Sequence, residues 1–312
     1  MKVRRTIKKI GWILLFTFLL MNVVAFFHAW RFTHFSKGDQ PKSSSRNLSF
    51  GNKAKTLFLG IDNPRPVNKL RPSQPYETIT IQSNKKIECW LINARSPKGT
   101  VILFHGYGGE KSAMLDKATV FLSMGFSTLL VDFMGAGNSE GNQTTIGYKE
   151  ADEVKSCVEF LRTRGEKRII LFGTSLGAAA ILKSIDDFHL DPTAIILECP
   201  FSTLYETTAS RFRSLKVPAF PMAGLLVFWG GIQNGFWGFS FKPVEYAKSV
   251  RCPTLLFYGE KDEKVSRAET NAIFQNLPAS KRLVTFPEAG HENYLVKYRE
   301  TWSREIAAFL AD

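Results

Sequence analysis

Ser175 is where chemistry could begin. It lies at the centre of Gly173-Thr174-Ser175-Leu176-Gly177, a G-x-S-x-G. With glycine and serine each near ~7% of residues, such a match arises by chance in about one chain of this length in ten. Its setting is more specific. The apolar run RIILFG (168–173) precedes it, and the small-residue run Leu176-Gly177-Ala178-Ala179-Ala180 follows. A strand that feeds a helix through a sharp turn lifts a serine hydroxyl above a sheet edge, and the flanking glycines suit a turn where a Cβ would collide. The hydroxyl needs a base, and the base needs an orienting carboxylate. Of five histidines, His28 lies in an apolar run, His34 in the polar stretch after it, His105 at a strand end beside glycines, and His189 in a loop. His291, straight after the last strand-like run, is the candidate base. Asp262, straight after the preceding one, is the candidate acid, with Glu198 at another strand end as its alternative.

Those residues need a frame. Strand-like runs at 78–82, 87–92, 101–105, 127–132, 168–173, 194–199, 254–259 and 282–286 alternate with helical patterns near 111–124, 147–164, 176–185, 267–277 and 292–310. The first two strands suit a hairpin across Asn84-Lys85. The later strands are nearly continuous apolar runs, as in a parallel sheet covered on both faces. The fold class expected is α/β, a mostly parallel, doubly wound sheet. Residues 217–241 break the rhythm: no charge, five glycines, two prolines and seven aromatics. Pro218, Pro221 and the glycines argue against a second membrane span, and an apolar cap at about 201–246 is expected instead. Phe228, Trp229, Phe236 and Trp237 are its candidate substrate-binding residues. The alternative is that they only pack the cap onto the core.

The net charge of +13 is unevenly spread. Residues 1–75 hold 14 Lys and Arg against 2 Asp and Glu, so the remaining 237 residues are nearly neutral. Nucleic acid is therefore not the expected partner. Cys89, Cys157, Cys199 and Cys252 are far apart with no C-x-x-C, which argues against a zinc site or redox pair and for buried free thiols. Between Lys9 and Arg31 stand 21 residues without an acidic or basic side chain. As a helix they span about 31 Å, enough for a bilayer core. Lys2, Arg4, Arg5, Lys8 and Lys9 precede the run, which places the N-terminus in the cytoplasm and the rest of the chain across the membrane. A cleaved signal peptide is the competing expectation, but no small-x-small site closes the run. The organisation expected is a basic tail at 1–9, a transmembrane anchor at 10–30, a basic, proline-rich tether at 31–75 and a catalytic domain at 76–312.

Several of these pieces together resemble the α/β-hydrolase superfamily over about 76–312: His105-Gly106-Tyr107-Gly108-Gly109, Asp132 to Gly141, the serine turn, Gly259-x-x-Asp262 and Gly290-His291. The chain looks most like bacterial membrane-anchored members grouped with serine aminopeptidases and monoacylglycerol-lipase-like hydrolases. The resemblance implies that Ser175 is the nucleophile, His291 the general base then acid, and Asp262 its orienting carboxylate. It further implies an oxyanion hole from the backbone N–H groups of Tyr107 and Leu176. His105 is expected to brace its loop and Asp132 to be structural. The activity implied is serine hydrolysis of carboxylic esters or thioesters, without metal or organic cofactor; the apolar cap and the anchor favour lipid or acyl-chain substrates at a bacterial inner membrane. An aminopeptidase or amidase is the alternative within the fold, and it would need an acidic group near the cap to hold a substrate amine. A non-catalytic binding protein that kept the fold is the rival outside enzymes.

Overall fold

The computed structural model describes residues 2–36, 60 and 62–311. Most of the tether expected at 31–75, including Ser43-Ser44-Ser45, lies outside the described residues. Eight strands form one sheet: β1 (Glu77–Gln82), β2 (Lys86–Ile92), β3 (Thr100–Phe104), β4 (Ser127–Val131), β5 (Ile169–Thr174), β6 (Ala194–Glu198), β7 (Thr254–Gly259) and β8 (Lys281–Phe286). Their order across the sheet is β1-β2-β4-β3-β5-β6-β7-β8. β2 runs antiparallel to β1 and β4, and every other neighbouring pair is parallel. Strands β3 to β7 are buried along almost their whole length, because helices cover both faces.

The helices are α1 (Lys2–Thr33), α2 (Leu115–Ser123), α3 (Glu150–Thr163), α4 (Leu176–Phe188), α5 (Leu204–Ser214), α6 (Met222–Asn234), α7 (Pro243–Tyr246), α8 (Arg267–Asn276), α9 (Tyr294–Lys297) and α10 (Arg299–Ala311). One apolar cluster joins α3, α4 and one sheet face, with Ile102, Phe104, Leu171 and Ile181 at its centre. A second joins α2, α10 and the opposite face, where Phe121 and Trp302 meet Phe172 edge to face. Burying side chains of this size contributes about 1.5–3 kcal/mol each.

The chain order reverses around β3, with β4 on one side and β5 on the other, and in open α/β sheets the crevice at such a switch point, beyond the strands' carboxyl ends, is where ligands bind. The loops after β3 and β5 carry His105-Gly106-Tyr107 and Ser175 to that point.

The region 201–246 folds as α5, α6, a short 3-10 turn and α7. The sequence pattern contains neither α5 nor α6 as an expected helix. α6 is apolar on all sides and so lacks the stripe that marks a helix packed on a core. One face is taken by α1, whose own apolar run continues as helix to Thr33. The helix Val3–Thr33 is long and apolar enough to cross a membrane. Its first two-thirds are exposed, whereas Ala25, Ala29, Thr33 and the following Phe35 are buried against the rest of the molecule. Trp229 Nε1 donates to Asn22 Oδ1 at 3.1 Å, and Gln233 Nε2 donates to the Phe26 carbonyl at 2.9 Å. Small residues at this crossing, Ala29 against Gly230, allow the two helices to approach closely.

Candidate active site

Ser175 stands between β5 and α4 with φ 51° and ψ −105°, a conformation that costs a non-glycine residue about 1–3 kcal/mol. The motif explains how the turn holds. A Cβ on Gly173 would lie 2.6 Å from the Ala178 nitrogen, and one on Gly177 would drive into the Phe104 carbonyl. Glycine at both positions lets the strand, the turn and the neighbouring strand end close on one another, which presents Ser175 at the sheet edge.

His291 and Asp262 converge on it. His291 Nε2 lies 3.1 Å from Ser175 Oγ, and its Nδ1 lies 2.7 Å from Asp262 Oδ2. The second Asp262 oxygen accepts the backbone N–H groups of Lys264 at 2.8 Å and Val265 at 2.9 Å, so the carboxylate is fixed by its own loop. Burial disfavours a charged imidazolium at His291, but the neighbouring Cys199 and the hydrogen-bonded Asp262 outweigh it and raise the ring above the ordinary imidazole value. The His291 loop is held from behind: Lys117 Nζ donates to Asn293 Oδ1, and Asn293 Nδ2 donates to Asp116.

Glu198, the alternative acid, is engaged elsewhere. It accepts Trp302 Nε1 at 2.7 Å and Thr174 Oγ1 at 2.9 Å, with Lys117 Nζ 3.5 Å away. His105 is buried; its Nε2 accepts the Phe133 N–H, which makes Nδ1 the donor to the Gly106 carbonyl. Burial lowers its pKa, consistent with a neutral ring that ties two loops together. Asp132 is fully buried and accepts from Lys111 N, Asn68 Nδ2 and Asn138 N, and it pairs with Lys111 Nζ. Residues 62–72 lie against this loop, where the Arg65 guanidinium donates to the carbonyls of Gly137, Ser139 and Gly141. All four cysteines are free and buried.

A cavity of about 330 Å³ opens above Ser175 and His291. Tyr107 and Leu176 both line it, and Leu176 is the first residue of α4, whose leading N–H groups have no intrahelical partner. Phe228, Trp229, Phe236 and Trp237 do not line it. Trp229 packs edge to face on Phe26 of α1, Phe236 stacks on Tyr148, Phe228 meets Trp237, and Trp237 is exposed. Their apolarity serves contact with α1, with Tyr148 outside the cap and within the cap itself. The cap's contribution to the cavity comes from Phe201 and from Thr207, Ser210 and Arg211 of α5, a helix with no apolar signal to announce it.

The N-terminal helix also reaches the site. Tyr107 stacks on Phe32 with centroids 4.6 Å apart, and its hydroxyl donates to the Phe32 carbonyl at 2.8 Å. Burial pushes the Tyr107 phenol up, so it remains a donor. Phe35 lines a small cavity with Gly106, Gly108 and Gly109, and its N–H donates to the Asn142 carbonyl. The end of the N-terminal apolar helix therefore backs the loop that carries Tyr107.

Comparison with known proteins agrees with this architecture. The family described as serine aminopeptidase, S33, matches residues 95–232. YqkD of Bacillus subtilis is 24% identical over 68% of this chain and 70% of its own length. A membrane protein of Saccharomyces cerevisiae, YNL320W, is 26% identical over 72% of this chain and 76% of its own. The lysophosphatidylserine lipase ABHD12 of Macaca fascicularis is 25% identical, over 62% of this chain but only 52% of the lipase. A solved esterase of Pyrococcus furiosus superposes with a TM-score of 0.68 at 24% identity, covering 80% of this chain and 96% of that one. With its sheet order, its serine turn and its likeness to the solved esterase, the chain has the α/β-hydrolase fold.

Proposed function

We propose that the protein is a membrane-anchored serine hydrolase that cleaves carboxylic esters or thioesters of acyl-chain substrates. The observation that carries this is the continuous hydrogen-bonded path from Ser175 Oγ through His291 to Asp262, beneath an open cavity. Ser175 Oγ attacks the acyl carbonyl while His291 Nε2 takes its proton. Asp262 keeps the imidazole oriented and stabilises the imidazolium. The tetrahedral oxyanion accepts hydrogen bonds from the backbone N–H groups of Tyr107 and Leu176, and each such donor lowers the barrier by about 3 kcal/mol. His291 returns the proton to the leaving alcohol or thiol, the acyl group stays on Ser175, and water activated by His291 then releases the acid.

The esterase and lipase names among the relatives support ester chemistry, and the family description raises an aminopeptidase as the second reading. An aminopeptidase needs a free carboxylate for the substrate amine. Glu292 is the acidic residue lining the cavity; it accepts the Gly290 N–H and lies 3.8 Å from Lys297. Esters are favoured on that ground. The basic residues ahead of the apolar helix support a cytoplasmic N-terminus with the hydrolase domain on the far side of a bacterial inner membrane. A reporter fused after residue 40 tests this sidedness, and activity confined to the cytoplasm would reverse it.

Function is tested with a chain-length series of 4-nitrophenyl esters on the full chain in non-ionic detergent. Ser175→Ala and His291→Ala should each abolish turnover with unchanged thermal unfolding. Retained turnover in either would remove that residue from the mechanism.

A further inference from the structure

The cavity wall is cationic, and its cations differ in how far they are committed. Lys117, Arg211, Lys264 and Glu292 are its charged members. Lys117 is used structurally, since it donates to Asn293 and approaches Glu198. Glu292 is paired as described above. Arg211 has no carboxylate partner among the described residues, although the cap carries an acid on the same helix: Glu206 is taken by Arg213 at 3.0 Å. Arg211 is solvent-exposed as a residue, and its guanidinium lies 3.7 Å over the ring of Phe32 and 5.6 Å from that of Tyr107. Stacking on an aromatic face holds the planar fork in place while leaving its N–H donors unused. Lys264, from the loop that also positions Asp262, adds a second cation with no ion pair among the described residues.

A guanidinium held by stacking, without an acid, at the wall of a cavity that contains the nucleophile is arranged to receive an anion. Phosphate and carboxylate match its fork in a bidentate manner. We infer that Arg211 is a specificity-determining residue that binds an anionic group of the substrate, so that the preferred substrate is a monoacyl ester bearing a phosphate or carboxylate away from the scissile carbonyl. This rests on the serine-hydrolase reading above and names its substrate class.

The test compares two esters with the same acyl chain, 1-acylglycerol and 1-acylglycerol 3-phosphate, on the full chain in non-ionic detergent. The wild type should prefer the phosphate-bearing ester by about tenfold or more in kcat/KM, the effect of one charge-assisted hydrogen-bonding pair. Arg211→Gln should collapse that ratio towards one, mainly through KM, and Arg211→Lys should restore part of it. Glycerol 3-phosphate added in solution should compete in the wild type and lose potency in Arg211→Gln, which separates recognition of the anion itself from attraction to a charged micelle. A wild-type ratio near one, the same ratio in Arg211→Gln, or equal inhibition of both proteins would overturn the inference. Labelling by a fluorophosphonate probe runs in parallel. A wild type that is not labelled contradicts the serine mechanism, whereas a labelled wild type that ignores the phosphate-bearing ester contradicts the role of Arg211 alone.

Discussion

Removing Phe32 should damage catalysis although it lies in the N-terminal apolar helix, far from Ser175 in sequence. Its ring stacks on Tyr107 and carries the Arg211 guanidinium, and its carbonyl receives the Tyr107 hydroxyl. Phe32→Ala deletes the stacked pair, worth about 0.5–1.5 kcal/mol, and the cation–π contact, worth about 0.5–1 kcal/mol. If these hold the Tyr107 loop in the position its backbone N–H needs, losing about 1–2.5 kcal/mol of preference lowers the competent fraction roughly five- to seventyfold. Complete loss of one oxyanion donor, about 10²–10³ in kcat, sets the ceiling. Tyr107→Phe keeps the ring and removes only the hydroxyl, so it should cost less, about fivefold. The assay is hydrolysis of a short, neutral 4-nitrophenyl ester, which bypasses any role of Arg211, with kcat and KM separated and a thermal melt for each variant. Phe16→Ala, in the exposed part of the same helix, is the control and should leave kcat unchanged. A Phe32→Ala enzyme with kcat within about twofold of the wild type would show that the helix end does not position this loop.

Further expectations follow from the same geometry. Because Asp262 helps to raise His291, and the base must be neutral, kcat/KM should climb with pH through a midpoint above the 6.5 of an ordinary imidazole. Asp262→Asn should move that midpoint to lower pH while kcat falls by about 10⁴, and an unmoved midpoint would separate the two residues. Asp132→Ala leaves Lys111 buried without its main partner and should destabilise the fold by about 3–5 kcal/mol in urea unfolding. Burial alone would push the Asp132 carboxyl up, but Lys111 and the surrounding donors more than offset it and hold it below the usual carboxylate value. Its contribution to stability should therefore be present above about pH 4, the unfolded carboxylate range, and fade as pH falls through the depressed folded value. Gly177→Ala places a Cβ on the Phe104 carbonyl and should cost about 1–3 kcal/mol or more together with turnover; a stable, active variant would contradict the close packing of the serine turn.

The parts legible in the sequence are those with short-range physical signatures. Each strand lies within a residue or two of its expected run, and for β3 to β7 that run is continuously apolar because both faces are buried. Ser175, Asp262 and His291 could be picked out because each follows a strand and few histidines compete. His105 and Asp132 fall where a brace and a buried ion pair are needed, and Glu198 turns to Trp302 and Thr174 instead of His291. What was not legible depends on pairings between distant segments. The apolar run before Arg31 has the length of a span, yet nothing local says that its last turns dock on α6 and back the Tyr107 loop. The aromatics of 217–241 suggested a substrate pocket, but Trp229 and Phe236 are spent on Phe26 and Tyr148. Arg211 carried no signal: it is an exposed arginine, set apart only by its stacking on Phe32 at the cavity wall.

The most direct test of the central claim is labelling of the purified full chain by a fluorophosphonate, followed by peptide mass mapping. The account predicts a single stoichiometric adduct on Ser175, absent from Ser175→Ala and strongly slowed in His291→Ala. A folded wild type that takes up no probe, or one labelled at another residue, would contradict it.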